Sequence, residues 1–212
     1  TMNISNFIIM FGAAFSVAGT TMIAQAYGNN KENKDRLTLL TSQVFLVNVF
    51  MSILVTLTGY FLSHPLLNVL KVPEGLTYAY TYSYMSITFL TMPFFFLDLS
   101  LRSIFQGMGD TRTPLYIQTV SVMINVVLDP ILIFGLGPIP AMEVFGAALA
   151  TFIARFISGF ISLLFLIKGK NGVRVSLKRM KPDLPTLRLI SKIGFPSGIG
   201  QSISSLGFAV IQ

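Results

Sequence analysis

Residues 99–134 read LSLRSIFQGMGDTRTPLYIQTVSVMINVVLDPILIF, a short polar turn between two long apolar runs. The polar turn contains Gly107, Gly109, Asp110, Thr111, Arg112 and Pro114. Its glycines permit a tight bend with positive φ, its Asp and Thr can cap a following helix, and its proline suits the first turn of that helix. No strand precedes the turn and no Lys-Ser/Thr pair follows it, so it is a poor phosphate-binding loop. We therefore predict two long helices joined rigidly by this turn.

The composition of the whole chain indicates whether these helices lie in water or in a membrane. Hydrophobic residues make up 53% of the 212 residues and charged residues 11%, whereas about 25% of a soluble domain is charged. Cysteine is absent and histidine occurs once, so neither a disulfide framework nor a zinc site of such residues is possible. We predict an all-α polytopic membrane protein. We expect no enzymatic activity, no metal and no other cofactor.

Apolar runs long enough to cross a bilayer, which takes about 20 residues, recur along the chain. The predicted complete spans cover about Met2–Tyr27, Leu37–Leu62, Tyr78–Phe105, Leu115–Phe134 and Val144–Ile167. Another span begins near Leu187 and is still apolar at Gln212, so we expect the chain to be part of a longer protein. We place His64 and Pro65 in the loop after the second span.

The basic residues alternate between the predicted loops. The loops after the first, third and fifth spans carry Lys31, Lys34, Arg36, Arg112, Lys168, Lys170, Arg174, Lys178, Arg179 and Lys181. The loops after the second and fourth spans carry only Lys71. Because cytoplasmic loops are rich in Lys and Arg, the odd spans are predicted to run inward. The net charge of +7 lies in short loops between apolar spans, so nucleic acid is not an expected partner.

Asp129 is the strongest functional candidate, because a charge inside a span costs several kcal/mol. Asn125 precedes it by one helical turn on the same face. Pro130 removes a hydrogen bond from the backbone carbonyl one turn earlier, so carboxylate, amide and carbonyl oxygens could meet at one place. Such a cluster suits a proton relay or a monovalent cation. The alternative is an aspartate that caps or bonds to a neighbouring helix near the outer interface.

A second group of polar residues could line a cavity or form a gate. It comprises Arg155, Asp98, Gln25, Asn48 and Tyr84. Arg155 lies mid-span at a depth from which it could reach Asp129, and their ion pair could serve either structure or gating. Asp98 precedes Arg102 by four residues, which favours a helical ion pair. The amides could equally bridge helices, and Tyr84 belongs to an aromatic belt at the outer interface.

Three stretches resemble the multidrug and toxic compound extrusion (MATE) family. They are Ala24-Gln25-Ala26-Tyr27-Gly28, the segment from Arg102 to Pro114, and Asn125–Gly135 followed by Gly146–Thr151. The resemblance implies twelve helices in two six-helix lobes around a cavity that opens alternately to each side of the cell membrane. Residues 1–168 would then hold helices 2–6 of the first lobe, residues 169–186 a basic cytoplasmic linker, and residues 187–212 the start of helix 7.

The resemblance also implies a function. Family members export organic cations or amphipathic compounds in exchange for protons or sodium ions, usually as monomers. In the prokaryotic DinF-like branch, an Asp in helix 5 with an Asn one turn earlier belongs to the coupling site, and Asp129 and Asn125 match this pair. Arg155 has no counterpart in that pattern.

Two other functions stay open at this point. A flippase for lipid-linked oligosaccharides or polysaccharides would need a cationic cavity for a pyrophosphate, and the spans offer only Arg102 and Arg155. A membrane receptor or scaffold would need large outer loops, and the predicted outer loops are short. Membrane lipid is an expected partner, since the basic stretch from Lys168 to Lys192 either lies on anionic lipid or is a plain linker.

Overall fold

The structure is a computed structural model that describes residues 2–29, 34–69, 73, 75–135, 140–169, 174–176 and 179–211. Within these ranges, side chains are described for 14–28, 35–68, 73, 75–135, 140–169, 174–176 and 179–200. The chain forms the helices α1 (Met2–Asn29), α2 (Lys34–Val69), α3 (Leu76–Gly107), α4 (Arg112–Phe134), α5 (Glu143–Lys168) and α6 (Leu184–Ile211). Four of the basic loop residues lie outside the described residues: Lys31, Lys71, Lys170 and Lys178.

Four helices in the described part of the chain are long and apolar enough to cross a membrane. They are Asp35–Asn68, Leu76–Gly107, Arg112–Phe134 and Glu143–Lys168, with mean hydropathies of 2.0, 1.4, 1.9 and 2.1. Each contains one of the predicted spans. The predicted first and last spans fall in α1 and α6, whose side chains lie partly outside the described residues.

The loop predicted at His64 and Pro65 is wrong, because α2 continues through both residues to Val69. An apolar environment offers no water to an open backbone, so continuing the helix through one proline is favoured over unwinding it. The ring of His64 stacks on Tyr82 with centroids 4.1 Å apart, and its Nδ1 lies 2.9 Å from the hydroxyl of Tyr78. These contacts attach the last turns of α2 to α3.

The chain divides into two compact units, and α2, α3, α4 and α5 each contribute to both. Unit 1 comprises Thr1–Met51, Leu97–Pro114 and Ser162–Gln212. Unit 2 comprises Ser52–Phe96 and Leu115–Ile161.

Hydroxyl groups join α1 to α3 in unit 1. Ser16 donates to the carbonyl of Leu99 at 3.0 Å, and Ser103 donates to the carbonyl of Ser16 at 2.7 Å. Gly19 lies beside them, and a Cβ at this position would be 2.6 Å from the Ser103 hydroxyl. Small residues therefore let the two helices approach closely enough for direct hydrogen bonds, which is how helices associate without a hydrophobic driving force.

Glycines allow equally close contacts in unit 2, but there they pack against aromatic rings and backbone. A Cβ on Gly159 of α5 would lie 2.8 Å from the Cβ of Phe94 in α3. A Cβ on Gly59 of α2 would lie 2.1 Å from the ring of Phe89, which is 2% exposed. These contacts hold α2, α3 and α5 together by close packing of complementary surfaces.

Candidate functional site

Asn125 and Asp129 lie together on α4, as their spacing predicts. The Asn125 amide nitrogen donates to the Asp129 carboxylate at 3.3 Å, and both side chains are half-buried. Pro130 continues the helix without an N–H group, so the carbonyl of Val126 has no helical donor at that position. A carboxylate, an amide oxygen and a carbonyl thus occur within one helical turn, which is the chemistry of a proton or monovalent-cation site.

Helix α5 packs closely on α4 on either side of this pair. Before it, Ser121 donates to the carbonyl of Ala154 at 3.2 Å. After it, a Cβ on Gly146 would lie only 2.5 Å from the carbonyl oxygen of Leu132. Asn125 and Asp129 therefore lie along α4 between two close approaches of α5. The intervening part of α5 consists largely of small side chains, namely Ala147, Ala148, Ala150 and Thr151.

Arg155 follows Ala154 on α5, and its guanidinium lies 5.4 Å from the ring centre of Phe95. A cation over an aromatic face is stabilised by the ring quadrupole. The adjacent residue Ala154 contacts Ser121 of α4. Ser121 precedes Asp129 by eight residues, which is about 12 Å along the helix at 1.5 Å per residue. The ion pair between Arg155 and Asp129 stays a prediction.

Asp98 lies in unit 1 and is 9% exposed. Its carboxylate accepts a hydrogen bond of 2.6 Å from Ser162 of α5. This distance is at the short end of the range for hydrogen bonds between oxygen atoms in proteins. The spacing in the sequence favours Arg102 as a partner of Asp98 and does not predict the bond to Ser162. The signal that the sequence offers is a pair of serines, Ser158 and Ser162, spaced one turn apart on α5.

The other predicted cavity residues occupy different settings. Gln25 is exposed and lines a cavity of about 320 Å³ where α1 ends and α2 and α6 begin. Asn48 is 1% exposed and donates to the carbonyl of Val44 at 3.0 Å, while its own carbonyl oxygen has no partner among the described residues. Tyr84 is 44% exposed on α3. Of Gln25, Asn48 and Tyr84, Gln25 is therefore the residue that lines this cavity.

The turn between α3 and α4 is built by its predicted residues. Gly109 has φ +84°, and the amide of Asp110 bonds to the carbonyl of Phe105 at 2.8 Å, which ends α3 in a Schellman motif. The Asp110 carboxylate then accepts from the amides of Arg112 and Thr113, both at 3.1 Å. Asp110 therefore closes one helix and caps the next.

Two residues of the turn act differently from the expectation. Gly107 does not have positive φ but ends α3 against α1, where a Cβ would lie 2.9 Å from the carbonyl oxygen of Thr20. The cap is completed by Thr113, whose hydroxyl donates to Asp110 at 2.8 Å, and not by Thr111. Pro114 lies in the first turn of α4, as expected.

Gln43 has no distinguishing pattern in the sequence, yet it joins distant segments of the chain. It is fully buried on α2 and donates to the carbonyls of Arg179 and Lys181 at 3.0 and 2.7 Å. Its carbonyl oxygen accepts from the amide of Asp183 at 3.2 Å. Next to it, Ser42 accepts from the amide of Ser176 at 3.0 Å. These bonds, which we call the Gln43 clasp, fasten the predicted basic linker to α2.

Within the described ranges, no group of three or more His, Cys, Asp or Glu residues could hold a metal ion. On α4, the Asp129 carboxylate and the Asn125 amide lie one helical turn apart and bond to each other.

Known proteins share both the sequence pattern and the fold. The MatE family model matches residues 1–131. "Probable multidrug resistance protein YoeA" of Bacillus subtilis (strain 168) is 28% identical over 209 residues, which are 97% of this chain and 44% of the relative. "Multidrug export protein MepA" of Staphylococcus aureus (strain bovine RF122 / ET3-1) is 28% identical over 197 residues, which are 93% of this chain and 42% of the relative. This chain thus spans less than half the length of these curated relatives.

Solved structures agree with this assignment. One described as the inward-facing conformation of a multidrug resistance MATE family transporter has a TM-score of 0.84 at 21% identity, covering 96% of this chain and 45% of that one. A structure of MATE in the bent conformation has a TM-score of 0.82 at 22% identity, covering 93% and 43%. The predicted all-α fold of a polytopic membrane protein, covering about half of a MATE transporter, is therefore confirmed. The chain belongs to the MatE family of membrane transporters.

Proposed function

We propose that the protein to which this chain belongs exports small organic cations or amphipathic drugs across the cell membrane in exchange for protons or sodium ions. Family membership supports transport, and the names of the relatives from Bacillus and Staphylococcus support drugs as substrates. Asp129 binds the coupling ion and Asn125 shapes its site. The observation that carries the proposal is the hydrogen bond between these two side chains beside Pro130.

The physical reason for coupling is the cost of an intramembrane charge. An ionised aspartate at the centre of a membrane helix costs about 2.5–3.5 kcal/mol on insertion scales. A bound proton or sodium ion removes that net charge, so the favoured packing around Asp129 differs between the loaded and empty states. An ion shifts a conformational equilibrium only through such a difference in affinity. Pro130 lies in the same turn and removes one backbone hydrogen bond of the helix, which favours a change in helix curvature at this place.

The flippase alternative receives less support. A pyrophosphate head group would need several cations facing one cavity, and the guanidinium of Arg155 lies over the ring of Phe95. The relatives from Bacillus and Staphylococcus are named for multidrug resistance and multidrug export. We therefore also propose a small organic substrate and a monomeric transporter without a cofactor.

The test uses the purified full-length protein in proteoliposomes loaded with a fluorescent organic cation. Efflux is driven first by an imposed pH gradient and then by a sodium gradient. We expect Asp129→Asn to lower ion-driven efflux at least about tenfold, because a loss of about 1.4 kcal/mol in ion binding already has that effect. Asp110→Asn is the matched control, since asparagine also caps helices and should leave efflux unchanged.

Either gradient that drives efflux in the wild type identifies the ion. Unchanged efflux and unchanged ion dependence in Asp129→Asn would overturn the role of this carboxylate. Absence of efflux under both gradients, with the reconstituted protein shown to be folded, would overturn ion-coupled drug export itself.

A further inference from the structure

Unit 1 contains a buried oxygen atom that has no hydrogen-bond donor among the described residues. It is the Oδ1 of Asn48 on α2, whose side chain is 1% exposed. The amide nitrogen of the same side chain donates to the carbonyl of Val44 at 3.0 Å. Exchanging the nitrogen and oxygen of this amide would place two acceptors against each other. The orientation is therefore determined, and Oδ1 is the atom that needs a donor.

The burial of this oxygen limits what can supply the donor. Buried polar atoms almost always bond either to a protein group or to an ordered water, because an unbonded one costs free energy. Asn48 is enclosed by the helices of this chain itself. Other parts of a longer protein therefore cannot reach its Oδ1 without displacing these helices. The donor must be small enough to lie inside the helix packing.

The neighbourhood of Asn48 is the place where α1, α2 and α3 meet. A Cβ on Gly19 of α1 would lie 2.7 Å from Val44 of α2 and 2.6 Å from the hydroxyl of Ser103 on α3. The charge bias of the loops predicts that α1 and α2 run in opposite directions. Ser16, one turn before Gly19, then lies at nearly the same level as Asn48, one turn after Val44. The small side chains at this level leave space beside the amide.

The hydroxyl of Ser16 is a second acceptor at this place. Ser16 is 6% exposed and uses its proton in the bond of 3.0 Å to the carbonyl of Leu99. Its oxygen keeps lone pairs that can accept a hydrogen bond. Two acceptors at one level, the amide oxygen of Asn48 and the hydroxyl oxygen of Ser16, are joined by a molecule that donates twice. Water is the smallest such molecule.

A second buried atom on the same face of α2 indicates the same chemistry. The hydroxyl of Thr41 is fully buried and has no partner among the described residues. Thr41 precedes Asn48 by seven residues, or two turns, so both lie on one face of the helix. A Ser or Thr in a helix commonly donates to the carbonyl four residues earlier, as Ser42 does to Thr38 at 2.7 Å. Thr41 makes no such bond.

We infer that an ordered water molecule is bound between α1 and α2 in unit 1, donating one hydrogen bond to the Oδ1 of Asn48 and another to the hydroxyl oxygen of Ser16. Buried waters of this kind bond to two to four polar groups that would otherwise lack partners. A cation fits less well, because Asn48, Ser16 and Thr41 carry no negative charge to balance it. This inference does not depend on the proposed transport activity.

The experiment determines the structure of the wild-type full-length protein in lipid nanodiscs at a resolution that shows ordered waters, once in sodium-containing and once in sodium-free buffer. We expect a density peak at about 2.5–3.0 Å from the Oδ1 of Asn48 in both buffers. A peak that disappears without sodium would overturn the water in favour of a cation. A protein donor on this oxygen, or no peak although waters are visible elsewhere, would overturn the site itself.

A substitution tests the site by stability. Asn48→Leu has no group to hold the water, so the bridge to Ser16 is lost and the thermal unfolding midpoint should fall. Asn68→Leu is the matched control, because it makes the same change at an exposed position of the same helix and should leave the midpoint unchanged. A higher midpoint in Asn48→Leu would show that the amide oxygen is unbonded in the wild type, and it would overturn the inference. If Asn48→Leu does not fold, the two wild-type structures decide the question.

Discussion

The two units depend to different extents on buried hydrogen bonds between distant segments. In unit 1, buried polar side chains bond to distant segments: Gln43 to the linker, Asp98 to Ser162, and Ser103 to α1. In unit 2, the closest helix contacts are made by glycines, such as Gly159 against Phe94 and Gly146 against the backbone of Leu132. One buried hydrogen bond, from Ser121 to the carbonyl of Ala154, accompanies them. A hydrogen bond is directional and fixes one register, whereas an apolar contact tolerates small rotations and shifts.

This difference indicates where a conformational response is expected. The candidate coupling residues Asn125 and Asp129 belong to unit 2 and are only half-buried. Helices in lipid associate by close packing and hydrogen bonds and not by the hydrophobic effect. A unit held by shape can therefore repack when one charge is neutralised, whereas a unit held by buried hydrogen bonds resists the same change. Mutations that remove each kind of contact separate the two cases.

The largest effect is expected from Gln43→Leu in unit 1. Leucine leaves two carbonyls and one amide of the linker without their partner, and each buried group of this kind costs about 1–3 kcal/mol. We expect the free energy of unfolding in detergent to fall by about 3 kcal/mol or more. Trypsin cleavage after the exposed Arg179 should also accelerate, because the linker is released from α2.

A control for this substitution is Gln106→Leu, which makes the same chemical change at an exposed position of unit 1. It should leave both the unfolding midpoint and the cleavage rate close to those of the wild type. If trypsin cleaves Gln43→Leu no faster than Gln106→Leu, the linker is held by other contacts. The Gln43 clasp then does not distinguish unit 1 from unit 2.

A smaller effect is expected from Gly159→Ala in unit 2. The added methyl group would lie 2.8–2.9 Å from the Cβ, Cα and carbonyl oxygen of Phe94, so backbone must move. Overpacking of this kind costs about 1–3 kcal/mol. Gly28→Ala is the control, because its Cβ would meet nothing within 4 Å and alanine favours a helix by about 0.5–1 kcal/mol. Equal unfolding midpoints for the two variants would contradict tight packing in unit 2.

Sequence patterns predicted the features that lie within one helix or one turn. The apolar runs predicted most helix ends to within a few residues. The spacing of Asn125 and Asp129 predicted the contact between their side chains. The residues of the turn after α3 predicted the positive φ of Gly109 and the cap made by Asp110, but not the role of Thr113. In each case the interacting groups are close in sequence, so local geometry determines the contact.

The contacts between distant segments could not be predicted in the same way. Gln43 binds backbone groups up to 140 residues away, and backbone carbonyls and amides have no sequence signature. Ser162 bonds to Asp98 across 64 residues, and many serines of the chain could have served. The proline at position 65 misled the prediction because a proline normally ends a soluble helix, whereas an apolar environment favours continuing it.

The smallest effect is expected from Asp110→Ala, which tests whether burial or polarity makes unit 1 sensitive. Like Gln43, Asp110 bonds to backbone amides, in this case those at the start of α4. Asp110 is only half-buried, however, so water can replace part of its bonds. We expect a loss of about 1 kcal/mol in the free energy of unfolding, as for other helix caps, and almost none for Asp110→Asn. A loss as large as that of Gln43→Leu, measured by thermal unfolding, would show that any polar contact in this unit is critical, and burial would no longer explain the difference between the units.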